Sequence, residues 1–435
     1  MGARDKRGYC AYAEANESPA MPEGLNLPTM VHVAPPPAEI VQERAQQAAM
    51  TILIALSVSH MMNDTMQSTI SALYPMFKSQ YALNFLQIGL ITLAFQLTAS
   101  ILQPLVGMYT DKRPLPYSLA AGMASTFLGL ILISRATSFP EILGSAALVG
   151  IGSSIFHPES SRVARMASGG RFGMAQALFQ VGGNTGSAFG PLLAAYFVVP
   201  HGQHSVGWVA VIALFGGIVL FNVGRWYASN LHLLRPKAAR ASVGPKLSPA
   251  AVKRSLAILV ALMFSKFVYL TSLTTYFTFY LIHRFGVSVQ EAQTELFVFL
   301  AAGAVGTFLG GPIGDRIGRK YLIWASILGV LPFTLVLPYV GHLWTVLLVV
   351  PIGLILSSAF SAIVVFAQDL VPGKIGMISG LFFGFAFGLG GLGAAGLGLL
   401  ADATSIDVVY RVCSVLPAIG LLTAFLPNLG QRAPA

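Results

Sequence analysis

From Thr51 onward the chain is a succession of apolar blocks separated by short polar stretches that hold most of the charge. Twelve such blocks can be marked, at about 51–77, 85–109, 115–134, 140–163, 172–199, 206–227, 255–282, 292–313, 320–340, 343–366, 376–400 and 408–427. Coiled as a helix rising about 1.5 Å per residue, each is long enough to cross the roughly 30 Å of a bilayer's hydrocarbon core. The pattern predicts an all-α polytopic membrane protein with twelve transmembrane helices. Residues 1–50 contain no sustained apolar run and include the stretch APPP at 34–37, so they read as a disordered tail. No apolar stretch follows the basic ARDKR near the start, which predicts that the first spanning helix serves as an uncleaved signal. Met21, Met30 and Met50 leave the start codon open.

Composition sharpens this picture. Of 435 residues 55% are hydrophobic and 10% charged, against about 25% charged in an ordinary soluble domain. Lipid removes the need for a charged surface and penalises charge in the hydrocarbon core. The mean hydropathy of +0.72 agrees. The two cysteines, Cys10 and Cys413, lie far apart in sequence and in expected environment, so no disulfide is expected.

A net charge of +10 would suit a nucleic-acid partner, but the cations fall mostly in short loops, and no nucleic acid is expected. With the amino terminus in the cytoplasm, the inner loops hold Lys112, Arg113, Arg162, Arg165, Arg171, Arg316, Arg319, Lys320 and Lys374. The stretch after the sixth block adds Arg225, Arg235, Lys237, Arg240, Lys246, Lys253 and Arg254, whereas the outer loops offer only Lys78, Arg135, Arg284 and Arg411. This asymmetry predicts a multi-pass protein of the bacterial inner (cytoplasmic) membrane with both termini cytoplasmic.

The chain also repeats itself. Gly107 and Asp111 in GMYTDKR precede Gly311 and Asp315 in GPIGDRIGRK by 204 residues, SSIF at 153–156 precedes SSAF by the same interval, and Gly173 and Met174 precede Gly376 and Met377 by 203. Duplicated halves are a common plan among transporters. The expected organisation is a six-helix half at 51–227, a cytoplasmic linker at 228–254, a second six-helix half at 255–427 and a short tail at 428–435.

Loop chemistry narrows the class. In GPIGDRIGRK, between blocks eight and nine, glycine permits a tight turn or close helix approach, and the aspartate can cap a helix while pairing with arginine. The loop resembles the cytoplasmic signature of the major facilitator superfamily, with a degenerate first copy in GMYTDKRPLP. The resemblance implies that Asp111, Asp315, Arg316 and Arg319 belong to an inner gate, with topogenic charge and a turn as the other reading; Lys112, and Arg162 and Arg165 at the inner end of block four, are further gating candidates. Block five carries GGNTGSAFGP, where Gly182, Gly186 and Gly190 share one helix face. It is similar to the superfamily's antiporter signature and equally fits plain helix packing. GLGGLG at 388–393 fits a dinucleotide-binding spacing but lies inside an apolar block without a preceding strand, so it reads as a flexible helix.

Strongly polar groups inside the spans are few, and each is a functional candidate. Asn63 and Asp64 lie near the middle of block one, and Lys266 near the middle of block seven, its equivalent under the duplication. They are expected to face a common cavity. A carboxyl group withdrawn from water holds a proton more readily, so Asp64 reads as a proton carrier, with a structural Asp–Lys pair as the alternative. In GSSIFHPESSRVAR the proline cannot donate to Ser154, which predicts a kink where His157 and Glu159 gather as a proton relay, or else an ion pair of Glu159 with Arg162. HPE lacks the P-C-x-x-C of zinc deaminases, and no metal or cofactor is expected.

The runs SHMMNDTMQSTISALYP, QIGLITLAFQLTASILQPLVGMYTDKRP and GSSIFHPESSRVARMASGGRFGMAQALFQVGGNTGSAFGPLLAA resemble the fosmidomycin resistance protein family of bacterial exporters over most of 51–427. The resemblance implies proton-coupled efflux of small phosphonate antibiotics. Broader drug/proton antiporters carry an arginine in the middle of block four; EILGSAALVGIGSS has none, which shifts the coupling role to Asp64, His157 and Glu159. For an anionic substrate Lys266 is the expected attraction, with Asn63, Gln67, Gln96, Gln180 and Asn184 as polar partners. The partners expected are a small molecule, protons and the lipid bilayer, and the chain is expected to act as a monomer. An organic-anion uptake symporter and a non-transporting membrane sensor are the alternatives; no nucleophile–base set points to an enzyme.

Overall fold

The computed structural model describes residues 38–169, 172–231, 248–371 and 375–428, almost all of them helical. Residues Ala45–Ala435 form one compact unit, distinct from Met1–Arg44. Each of the twelve apolar blocks coincides with helical structure. Helix α1 spans Ala38–Ala72, so residues 38–50, expected as part of a disordered tail, are helical. After the short α2 (Tyr74–Gln80) come α3 (Phe85–Lys112), α4 (Ser118–Arg135), α5 (Phe139–Ala167) and α6 (Phe172–Leu193). A π-turn at Ala194–Val198, just beyond Pro191, leads through α7 (Val199–His201) to α8 (Val206–Ser229). The second half begins with α9 (Pro249–Phe285) and α10 (Val289–Ile317). Block nine is divided into α11 (Arg319–Ile327) and α12 (Leu331–Val336), and block ten into α13 (His342–Ser357) and α14 (Phe360–Leu370). Helices α15 (Ile375–Ala403) and α16 (Ile406–Ser414), with a 3₁₀ segment at Leu416–Phe425, complete the chain.

Ten of these segments are by themselves long and apolar enough to cross a membrane. Outside that set stand α1 and α6, the helices in which Asn63, Asp64, Gln67, Gln176, Gln180 and Asn184 interrupt the apolar run. Pro158 lies inside α5, which is helical from Phe139 to Ala167. Proline removes a single rung of the ladder, and the flanking turns retain theirs.

Close helix approach is made at glycine. A Cβ on Gly182, Gly186 or Gly190 would collide with α1 at Ser57, Met61 and Ser68, which identifies α1 as the partner of that stripe. The glycines at 390, 391 and 393 press α15 against α3 and α9, a packing role and not a nucleotide loop. The repeat reappears as packing: Gly150 of α5 lies against the Phe95 carbonyl of α3, and Gly353 of α13 against the Phe299 carbonyl of α10. Glycine and partner are displaced by 203 and 204 residues, the interval read from the sequence.

The two ends of the bundle differ. At one, here the clasped end, both oxygens of Asp402 on α15 accept from the first amides of α3, Phe85 N at 2.8 Å and Leu86 N at 2.7 Å. Asn84 caps the next free amide, Gln87 N, so the α3 terminus is satisfied jointly by its own loop and by a residue of the other half. Beside it the Tyr276 hydroxyl donates to Ala394 O at 2.6 Å, and Gln293 of α10 donates to Ala72 O at 2.6 Å. At the opposite, basic end, Arg162 of α5 donates to Thr110 of α3, and Arg319 pairs with Asp369, each within its own half. Between the ends α3 and α15 diverge. A Cβ on Gly398 would collide with Phe85 O, one on Gly391 would lie 3.1 Å from Leu93, and those on Gly388 and Gly384 3.8 Å from Ser100.

Candidate functional site

Where the helices diverge, a cavity of about 320 Å³ opens between the halves. Its first-half wall holds Asp64, Gln67, Gln96, His157 and Asn184; the facing wall is supplied by Phe267, Thr271, Thr275, Phe299, Thr307 and Phe387 among others. Among the described lining residues there is no lysine or arginine.

Asp64 is the centre of its polar side. Asn63 donates to Asp64 Oδ1 at 3.0 Å, and Ser187 of α6 to Oδ2 at 3.5 Å. One turn before Asp64 on the same face, His60 places Nε2 3.4 Å from Oδ2. The His60 ring stacks on Phe179 at 4.0 Å and occupies the space that a side chain at Gly183 would fill. Its Nδ1 donates to Phe179 O at 2.8 Å. His157 stands edge-on to His60, ring centres 5.2 Å apart, with Nδ1 donating to Ser153 O at 3.0 Å.

These carbonyl contacts fix the tautomers. A carbonyl only accepts, so each Nδ1 carries a hydrogen and each neutral ring keeps its lone pair on Nε2. For His60 that lone pair faces a carboxylate, an acceptor opposite an acceptor. A proton between them turns repulsion into a charge-assisted hydrogen bond.

The predicted residues separate into groups. Asp64, Gln67, Gln96, His157 and Asn184 line the cavity, whereas Asn63, Glu159, Gln180 and Lys266 do not. Glu159, expected beside His157, is fully buried toward the basic end with Oε1 3.5 Å from Arg162 Nε. Lys266, expected opposite Asp64, is 2% exposed, and its Nζ has no hydrogen-bond partner among the described residues. The expected Asp64–Lys266 pair is absent among the described ion pairs. Lys266 is turned about 100° round α9 from Phe267, which does line the cavity. Of the expected gate residues, Arg162 and Arg319 make the bonds given above, and Arg165 and Arg316 lie at the same basic end. The side chains of Asp111, Lys112 and Asp315 lie outside the described residues. Sequence reasoning missed His60, although its spacing of four from Asp64 was a readable signal.

A membrane-embedded bundle with a polar cavity between duplicated halves is the architecture of a carrier, and known proteins agree. The Major Facilitator Superfamily model matches residues 56–395 and 285–431. The chain belongs to the major facilitator superfamily.

Within this superfamily the chain is 57% identical over 377 residues to the fosmidomycin resistance protein of Escherichia coli (strain K12), covering 87% of this chain and 93% of that protein. It is 40% identical to an uncharacterized MFS-type transporter of Bacillus subtilis (strain 168), YfnC, covering 91% of this chain and 97% of that protein. Among solved structures, the nucleoside transporter NupG aligns with a TM-score of 0.69 at 14% identity, over 87% of this chain and 98% of that one. An inward-facing, occupied bacterial homologue of the human lysosomal transporter Spinster aligns with a TM-score of 0.64 at 18% identity, over 86% and 94%. At these identities the two structures speak for the fold alone. As a superfamily member the chain is a multi-pass membrane transporter.

Proposed function

We propose that the chain exports small drug-like molecules, fosmidomycin-type phosphonates among them, across the bacterial inner membrane in exchange for protons. The observation that carries this reading is the His60–Asp64–His157 cluster, in which one ring nitrogen of each histidine and one carboxylate oxygen lie within 4.8 Å of one another beside the cavity. Asp64 and His157 take the coupling proton and His60 positions it; the identity to the fosmidomycin resistance protein supports the cargo. Two six-helix halves, 51–227 and 255–427, joined by 228–254, rock about the cavity as a monomer, with the basic end in the cytoplasm. Arg162, Arg165, Arg316 and Arg319, with Asp111, Lys112 and Asp315, hold the basic end when it closes. Gln67, Gln96 and Asn184 donate to the cargo. With Lys266 away from the cavity wall, these neutral amides are what the wall offers an outgoing cargo in this reading. In a drug-sensitive bacterium at equal membrane abundance, wild type protects against fosmidomycin and Asp64→Asn does not; equal protection by both would remove Asp64 from the coupling.

A second reading has one observation in its favour. Because no lysine or arginine lines the described cavity, an anion binds best when the site is protonated, so proton and anion would move together in an uptake symporter. Counterflow in vesicles under imposed proton gradients separates the two: an outward-directed drug flux driven by inward protons supports export, and co-directional flux supports uptake.

A further inference from the structure

Away from the cavity, at the clasped end, α10 and α13 bring together two carboxylates and an imidazole. Glu291 and Glu295 are one turn apart and leave α10 on the same side. His342 is the first residue of α13, and its ring lies 5.2 Å from that of Phe285. One ligand-capable atom from each of Glu291, Glu295 and His342 lies within 4.8 Å of the others. His342 Nε2 contacts Glu295 Oε1 directly. Glu295 is only 7% exposed, and its second oxygen, Oε2, is buried without a hydrogen-bond partner among the described residues.

Something must satisfy that oxygen, because a buried carboxylate oxygen without a donor is expensive. A proton on His342 serves Oε1 of Glu295 and leaves its Oε2, and the nearby Glu291 carboxylate, to other partners. A divalent cation neutralises both and uses the imidazole lone pair as well. Two carboxylate oxygens and one imidazole nitrogen form a ligand set suited to a Zn²⁺-class ion, with bonds of about 2.0–2.2 Å. Tetrahedral bonds of that length place ligand atoms roughly 3.4 Å apart. His342 Nε2 and Glu295 Oε1 stand 2.5 Å apart, closer than two ligands of one ion, so the ion takes Glu295 through Oε2; Glu291 is exposed, so its carboxylate can move in without disturbing packing, and the fourth position is left to water.

We propose that Glu291, Glu295 and His342 form a binding site for a Zn²⁺-class divalent ion that pins the start of α10 to the start of α13. The site stands apart from the cavity and does not depend on the transport reading. Its test is Zn²⁺ titration of the full chain, purified in detergent and stripped with chelator, by calorimetry at neutral pH. Wild type binds one equivalent at this site, and His342→Ala and Glu295→Gln weaken that binding at least tenfold. Glu291→Gln, at an exposed position, gives the same weakening with metal-free melting unchanged, which separates a lost ligand from a damaged fold. His157→Ala, which alters the cavity cluster, leaves this equivalent intact. The proposal is overturned if wild type shows no saturable binding, if Glu291→Gln and His342→Ala bind as wild type does, or if the loss follows His157→Ala instead.

Discussion

Among the described residues, the ties at the clasped end and at the basic end differ in their reach. At the clasped end several of the described bonds run across the molecule: Asp402 of α15 terminates α3, Gln293 of α10 holds the end of α1, and glycine lets backbone meet backbone. At the basic end the bonds described above for Arg162 and Arg319 stay within a half. Ties across the molecule set how the halves stand toward each other, and ties within a half set how rigid each half is. Both are polar, yet only the first kind responds directly to opening.

The sharpest way to break this contrast is to put bulk where α15 meets α3. Gly398→Val is expected to cost about 3 kcal/mol in the clasped arrangement through overpacking, a shift of roughly a hundredfold toward the state open at that end. Alkylation of a cysteine placed at the clasped end reads it, and unchanged reactivity would mean that the contact is not needed for closure. Asp402→Ala removes two charge-assisted bonds at an exposed position and is expected to cost about 1 to 2 kcal/mol, a shift of five- to thirtyfold in the same assay. The effect should be matched by Asp402→Asn only in part, since the amide keeps an acceptor but loses the charge. Tyr276→Phe deletes a hydroxyl that bonds Ala394 O within the second half and also lies 3.2 Å from Phe85 O of α3 across the halves, for about 0.5 to 1 kcal/mol and a shift of no more than about fivefold. If this ranking were inverted, the clasp would be held by side-chain hydrogen bonding and not by backbone contact.

Much of this molecule was readable before folding. The apolar blocks gave the helices because lipid demands internally bonded backbone, and the interval of about 204 residues reappears as matched contacts at Gly150 and Gly353. The stripe at Gly182, Gly186 and Gly190 predicted a close neighbour without naming α1. Side-chain direction was less legible. Lys266 and Phe267 are adjacent in sequence, yet only Phe267 faces the cavity, and the phase of α9 is set by packing that one helix does not encode. Glu159 and His157 part for the same reason, two residues apart on α5 and about 200° round it. Asp402 carried no signal at all, because its partners are amides more than three hundred positions earlier.

The glycine contacts bear on how such a protein can change over generations. Where Gly150 meets Phe95 O and Gly353 meets Phe299 O, even one methyl group is refused, so those positions offer almost no viable neighbouring sequences. The cavity wall is different, since side chains such as Asn184 and Phe387 border open space and can be exchanged one at a time. Inheritance is therefore rigid in the frame and permissive in the lining, and a lineage built on this bundle can alter what it carries without relearning how to fold.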